Sequence, residues 1–365
     1  MLKTIAKVTR SVLPSQEIRK LILDEAITSE TPLEQNQIQP SSIDLRLSSK
    51  AWRMRASFLP GKIQKVGAWI DQLAMQEIDL SQGYILEKGS VYLVQLQENL
   101  KLPKHVEALA NAKSSTGRLD LFTRLITDHG TEFDRVNAGY SGPLYAEIAP
   151  NSFSVLAKSG ITLNQIRFKT RDNFKVQDRE EAQKVKRINE RIVNNLTPAQ
   201  TFSINLKNRY SNVVGYRAKP HTDLIDLQRT NFYEKEDFWE PVTTRFNKIV
   251  LDPGAFYILS SQEYVSVPPQ LAAEMAPYLS MIGEFRVHYA GFFDPGFGYS
   301  SSGKQNSRAV LEVRCHETPF VLEHGQTVGQ LIFEKMLEVP DLLYGEDLKS
   351  NYQGQGLKLS KHFKN

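Results

Sequence analysis

The sequence predicts a mostly β protein made of two tandem copies of one domain, with a few short helices. Three observations predict this. Short runs rich in Val, Ile, Tyr and Leu are punctuated by glycine throughout the chain, as in GYILEKGSVYLVQLQ and GAFYILSSQEYVSV. The chain also repeats itself: LEKGSVYLVQLQENLKLPKHVEALA (86–110) matches LDPGAFYILSSQEYVSVPPQLAAEM (251–275) at Leu, Gly, Tyr, Gln-Glu and Pro. At 365 residues the chain is long enough for two ordinary domains, and 41% hydrophobic with 24% charged residues is a globular balance.

The elements follow in order. PSQEIRKLILDEA opens with a proline-serine start and places Ile18, Leu21 and Ile22 on one helical face. SIDLR (42–46) is echoed by SINLK (203–207). PKHVEALANA and its partner PPQLAAEMAPYL read as short helices or turns. GPLYAEIAP alternates, with Leu144, Ala146 and Ile148 on one face and Tyr145 and Glu147 on the other. EIAPNSFSVLAKSGITLNQIRF (147–168) aligns with EVRCHETPFVLEHGQTVGQLIF (312–333), so that Glu147 meets Glu312, Gly160 meets Gly325 and Gln165 meets Gln330. A period this long means whole domains rather than a solenoid. PFVLEHGQTVGQLIFEKM reads as two strands joined by a glycine turn. The expected division is a first repeat over 1–175, a charged helical linker over 176–198, a second repeat over 199–338 and a C-terminal tail over 339–365. The tail is polar and glycine-rich, a disordered end or a lid.

Bulk properties narrow the function. The net charge of +4 is spread along the chain with no basic stripe, which argues against a nucleic-acid partner. No apolar run is long enough to span a membrane, and MLKTIAKVTRSVLPSQE has no apolar core of a secretory signal; a cytoplasmic location is expected. The single cysteine, Cys315, excludes an internal disulfide and the Cys-x-x-Cys half of a deaminase zinc site. His316 and His324 read as surface or loop residues, and no metal site is expected.

Two stretches carry the chemistry. NAKSSTGRLDL (111–121) sets Ser114, Ser115 and a glycine between Lys113 and Arg118. That is either a polar turn with two solvated charges or an anion site, since hydroxyls, backbone N–H groups and cations together suit a phosphate. FDRVNAGYSGPLYAEIAP (133–150) reads as a hairpin around NAGYSG, bringing Arg135 and Glu147 together. Its counterpart is GFFDPGFGYSSSGKQNSRAVLEV (291–313).

These residues resemble the dCTP deaminase family of the dUTPase-related superfamily, in its tandem two-copy bacterial form. The likeness runs nearly the whole chain, through PSSIDLRL, LPKHVEALANAKSSTGRL, RVNAGYSGPLYAEI, AGFFDPGFGY, GQTVGQLIFEKM and YQGQG. It implies two distorted β-barrel or jelly-roll domains, assembly into trimers of barrels as a homo-oligomer, and active sites between barrels. It implies zinc-independent hydrolytic deamination of dCTP to dUTP and ammonia, on the route to dUTP and dTTP, with Mg²⁺ arriving on the triphosphate and dTTP a candidate feedback inhibitor. One carboxylate that shuttles protons suits this chemistry if burial raises its pKa, and the resemblance assigns that role to Glu147, with Arg135 positioning base and water. Lys113, Ser114, Ser115 and Arg118 match the triphosphate-binding stretch. Tyr140 matches an aromatic that excludes a 2′-hydroxyl, unless it only packs the hairpin, and Asn137 stands where the second copy has Asp294. Tyr344, Lys349, Tyr352 and Gln355 fall on the lid, where Asn351 replaces a common lysine. The second copy lacks Ser-Ser-x-x-Arg; it reads as a degenerate copy that contributes Glu312, Asp294 or Phe297 to a shared site. Asp294 resembles the water-activating aspartate of dUTPases, so a dUTP diphosphatase or a bifunctional enzyme yielding dUMP is the alternative. A non-catalytic nucleotide-binding regulatory module on the same fold is the third reading.

Overall fold

The computed structural model describes residues 10–171, 199–207, 212–277, 285–288, 291–299, 307–345 and 352–364. The expected linker helix and Lys349 lie outside these residues.

The protein is mostly β. The N-terminal half forms a nearly closed, barrel-like ten-stranded sheet. Its central path runs through Leu121–Thr127, Ser141–Pro150, Val91–Lys101, Ile43–Met54, Thr162–Arg171, Val106–Ala112 and Arg135–Val136. Core residues come from alternate strand positions, including Ile43, Leu45, Leu47, Val94, Leu96 and Ile166, all essentially inaccessible. The helix Ser15–Leu23 forms as the sequence predicts and buries Ile18 and Leu21 against this core.

The C-terminal half pairs its strands in corresponding registers. Glu147 stands opposite Leu93 and Arg124; Glu312 stands opposite Ile258 and His288. Val155 pairs with Leu86, and Phe320 pairs with Leu251, each displaced by 165 residues. The segments read as PKHVEALANA and PPQLAAEMAPYL are strands, Val106–Ala112 and Leu271–Pro277, not helices. Their alanines and leucines favour helix locally, but long pairings with Thr162–Arg171 and Thr327–Lys335 override that preference. Phe320–Glu323 and Thr327–Lys335 flank a turn at Gly325, yet each pairs with a different strand.

The expected hairpin between Arg135 and Glu147 does not form as such. Arg135–Val136 pairs with Val106–Ala112, whereas Ser141–Pro150 pairs with Val91–Lys101 and Leu121–Thr127. The turn therefore crosses from one part of the sheet to another and separates the two side chains.

The halves interlock. Ile225–Asp226 runs parallel to Val155–Ala157. Trp239 packs edge-on against Phe153 and Phe363 at centroid distances of 5.3 and 5.9 Å. Arg167, fully buried, crosses from the N-terminal half to the carbonyls of Ala273 (3.1 Å) and Phe293 (3.4 Å).

Candidate active site

A cavity of about 620 Å³ opens between the two halves, a size that suits a nucleotide. The N-terminal half lines it with Asp44, Lys113, Ser114, Ser115 and Arg118; the C-terminal half adds Phe293, Asp294, Phe297 and Glu312; the tail adds Tyr344, Tyr352, Gln355 and Lys361.

The KSSTGR stretch is a single helical turn, Ser114–Gly117, between Val106–Ala112 and Leu121–Thr127. The Lys113 ammonium pairs with Asp44 and donates to the Thr162 hydroxyl at 2.9 Å. Asp44 leaves its second oxygen buried without a hydrogen-bond partner among the described residues, and burial raises its pKa. Arg118 is almost wholly enclosed. Its Nη1 donates to the Lys358 carbonyl and its Nη2 to Gln355 Oε1, both at 3.0 Å, and its guanidinium lies 3.9 Å from the Tyr352 ring centroid. The tail thus packs directly onto the first half's arginine.

Glu312 reaches the cavity from the strand Ser307–Cys315. Burial pushes its carboxyl up to about 8, against the attraction of Arg118, whose Nε lies 3.9 Å away. That Nε has no hydrogen-bond partner among the described residues.

The Asp294–Phe297 turn forms the adjoining wall. Gly296 and Gly298 carry φ of +96° and +62°, and a Cβ on Gly298 would stand 2.0 Å from the Val265 carbonyl oxygen. The turn presents Phe297 to Phe293 and Tyr344 at 5.1 and 5.4 Å. Asp294 is held by the Ser41 hydroxyl and by Arg167 Nη2 at 3.5 Å, and burial raises its pKa. Burial likewise raises the Tyr344 phenol.

Four sequence candidates lie away from this cavity. Glu147 is buried on Ser141–Pro150, and Arg124 pairs with one of its oxygens through both Nη2 and Nε. Ser57 accepts from the same guanidinium at 2.9 Å, and Phe133 lies 3.5 Å beneath it. Arg135 faces solvent and pairs with Glu132 at 3.4 Å. Asn137 is exposed. Tyr140 packs its own turn, donating to the Pro143 carbonyl at 2.6 Å.

Sequence reasoning missed Lys361, Arg167 and Arg124. Arg124 was signalled only by strand alternation, and Arg167 by nothing in its local pattern. Asp44 sat inside the quoted SIDLR motif without a role.

A cation-and-hydroxyl end facing a buried carboxylate end suits a hydrolase acting on a nucleotide. Residues 9–172 match the family model described as the 2′-deoxycytidine 5′-triphosphate deaminase (DCD) N-terminal domain, and residues 173–363 match that of its C-terminal domain. The chain belongs to the 2′-deoxycytidine 5′-triphosphate deaminase family, hydrolases that act on dCTP. It is 31% identical over 175 residues to a Streptomyces griseus protein named "dCTP deaminase, dUMP-forming", covering 46% of this chain and 83% of the relative. A Sulfurihydrogenibium protein of the same name is 31% identical over 176 residues, 47% of this chain and 87% of that one. The crystal structure of 2′-deoxycytidine 5′-triphosphate deaminase from Agrobacterium tumefaciens is similar at 47% identity and a TM-score of 0.81, covering 91% of this chain and all of that one.

Proposed function

We propose that this protein deaminates dCTP without zinc, that the cavity between its halves is the reaction site, and that Glu312 rather than Glu147 shuttles the protons. The observation that carries this reading is the placement of Glu312 in one cavity with Lys113, Ser114, Ser115 and Arg118. In Glu147 the position is already taken by Arg124.

A carboxyl whose pKa is pushed up to about 8 is protonated in the resting site near neutrality. It gives that proton to N3 of the cytosine ring. The resulting carboxylate takes a proton from water as the oxygen bonds to C4. The same proton passes to the exocyclic amine, the C4–N bond breaks and ammonia leaves, while the C4 hydroxyl gives its proton to the carboxylate, forming the C4 carbonyl and returning Glu312 to its protonated resting form. Arg118 steadies the carboxylate between transfers. Mg²⁺ enters as part of the substrate, on the phosphate oxygens. A zinc-free route accords with a single cysteine, which cannot supply a Cys-x-x-Cys pair.

Release of dUTP is the favoured outcome, because Asp294, the candidate for activating a second water at phosphate, is engaged by Ser41 and Arg167. The names of the two relatives favour a second reading, in which dUTP is carried on to dUMP and pyrophosphate. A product assay decides. Incubation with Mg·dCTP is expected to release ammonia with dUTP, abolished in Glu312→Gln. Ammonia with dUMP and pyrophosphate, lost in Asp294→Asn, would establish the second reading. Full turnover by Glu312→Gln would remove Glu312 from the reaction.

A further inference from the structure

We propose that Lys361, in the C-terminal tail, is a phosphate-binding residue of this cavity, positioned by a tail packed onto both halves of the chain. The inference rests on reading the cavity as the dCTP site and adds a residue to it.

Lys361 lines the cavity beside Lys113, Ser114 and Ser115. Its backbone is fixed on every side. The preceding residue, Ser360, donates its hydroxyl to the Ser115 carbonyl at 2.8 Å, which ties the tail to the phosphate stretch itself. The Lys361 N–H donates to the Tyr352 hydroxyl at 3.3 Å, and its carbonyl accepts from the Asn231 N–H at 2.8 Å. The following residues, His362 and Phe363, are buried, with Phe363 among Tyr233, Phe238 and Trp239. The segment is therefore anchored at its far end, and only the lysine side chain turns back toward the cavity.

The two lysines at this end are not equivalent. Lys113 already spends donors on Asp44 and Thr162. The Lys361 ammonium donates to no group among the described residues; burial and the charge of Lys113 oppose its own, outweighing the attraction of Asp44. A bound polyphosphate reverses both penalties, because it supplies acceptors to a donor that lacks them and negative charge to two crowded cations. Serine hydroxyls at 114 and 115 complete a surface matched to several phosphate oxygens rather than one.

The test uses the full chain, with inorganic tripolyphosphate and deoxycytidine as separate probes in calorimetric titration. Lys361→Met is expected to weaken tripolyphosphate binding about tenfold or more and to raise the KM for dCTP similarly, leaving deoxycytidine binding within about twofold. Lys361→Arg keeps the charge and should bind tripolyphosphate nearly as the native protein does. Unchanged tripolyphosphate affinity in Lys361→Met overturns the proposal. So does equal loss of both probes with a lowered Tm, which would make Lys361 a packing residue of the tail. Should Lys361→Met not fold, Lys361→Gln replaces it, read in the same way. A native protein that deaminates dCTP but ignores tripolyphosphate defeats this inference alone; one that neither deaminates dCTP nor binds either probe defeats the reading of the cavity.

Discussion

Glu147 and Glu312 stand at matching positions in matching ladders, yet they are different chemical objects. Each sits between two strands, with Leu93 or Ile258 on one side. The other neighbour in register is Arg124 for Glu147 and His288 for Glu312. Arg124 supplies a hydrogen-bonded counter-charge, itself lying over the Phe133 ring and tied to Ser57 of the 55–73 segment. Among the described residues Glu312 has a single ion-pair partner, Arg118, 3.9 Å away and drawn from the other half. The lesson is that a carboxylate's strand position does not decide its chemistry. The group opposite it does, because a bonded guanidinium occupies the carboxylate whereas a cavity leaves it open to take and give protons.

The sharpest way to break this comparison is to remove each carboxylate in turn. Glu312→Gln is expected to lower kcat about a thousandfold without destabilising the fold, the range of a lost proton shuttle. Glu147→Gln is expected to do the reverse. It leaves the half-buried Arg124 guanidinium without its counter-charge, a loss of about 1–3 kcal/mol in denaturant unfolding, while kcat of the folded protein stays within about threefold. Glu147→Gln with Arg124→Met should recover part of that stability, because the stranded charge is then gone. Inactive but fully stable Glu147→Gln would exchange the roles of the two residues.

Much of this was legible in the sequence, and the failures have physical causes. The β class followed from Val, Ile and Tyr runs between glycines, and the matching registers followed from the spacing of LEKGSVYLVQL and LDPGAFYILSS. The KSSTGR stretch and the tail residues Tyr344, Tyr352 and Gln355 were legible as candidates because hydroxyls, cations and an isolated YQGQG carry their chemistry locally, and all of them line the cavity. The partnership between Ser115 and Glu312 was not legible, since 197 positions of chain separate them and only the packing of the halves joins them. Glu147 looked stronger than Glu312 because Arg135 precedes it in sequence. The chain between them crosses to a different strand partner, so nearness along the chain did not become nearness in space. A short helix or turn was expected at PKHVEALANA for a similar reason: propensity is local, and strand pairing is not.

The pH dependence of stability sharpens the same contrast. In the folded protein Glu312 takes up its proton near pH 8, whereas in the unfolded chain it does so near 4.5. Between those values the folded state holds the extra proton, so stability falls as pH rises through this window and levels off above it. The loss is on the order of 5 kcal/mol at most. Glu312→Gln cannot ionise, so its denaturant midpoint should exceed that of the native protein at pH 9 and match it at pH 4.5. The kcat/KM of the native enzyme should fall along a basic limb near pH 8, as the proton needed at N3 is lost. An identical stability profile in the native and Glu312→Gln proteins would mean that the cavity does not raise this carboxyl.

The two glutamates also differ in what covers them, and the smallest expected effect tests that cover. The 55–73 segment over Glu147 is held by the Phe58–Trp69 stack, at 5.5 Å, and by the Val66 N–H donating to Asp128 at 2.8 Å. The tail beside Glu312 is held partly by His362, whose Nδ1 meets the Ser360 hydroxyl at 2.9 Å and whose Nε2 meets the Leu227 carbonyl at 3.3 Å. Burial, with the charge of Lys361, lowers His362 to about 4 from an ordinary 6.5. Below pH 6.5 the unfolded or detached tail binds the proton and the packed tail does not, so docking weakens as pH falls from 6.5 to 4 and no further below. Because Ser360 bonds to the Ser115 carbonyl, loosening there frees the phosphate stretch as well. Hydrogen exchange should show residues 352–364 losing protection over this acid range, by about 3 kcal/mol at most, while 55–73 keeps its own. In His362→Gln, which carries no titrating ring, the acid loss in 352–364 should disappear. Equal acid loosening of both segments would show that His362 does not govern the tail, and that the two covers differ in sequence but not in response.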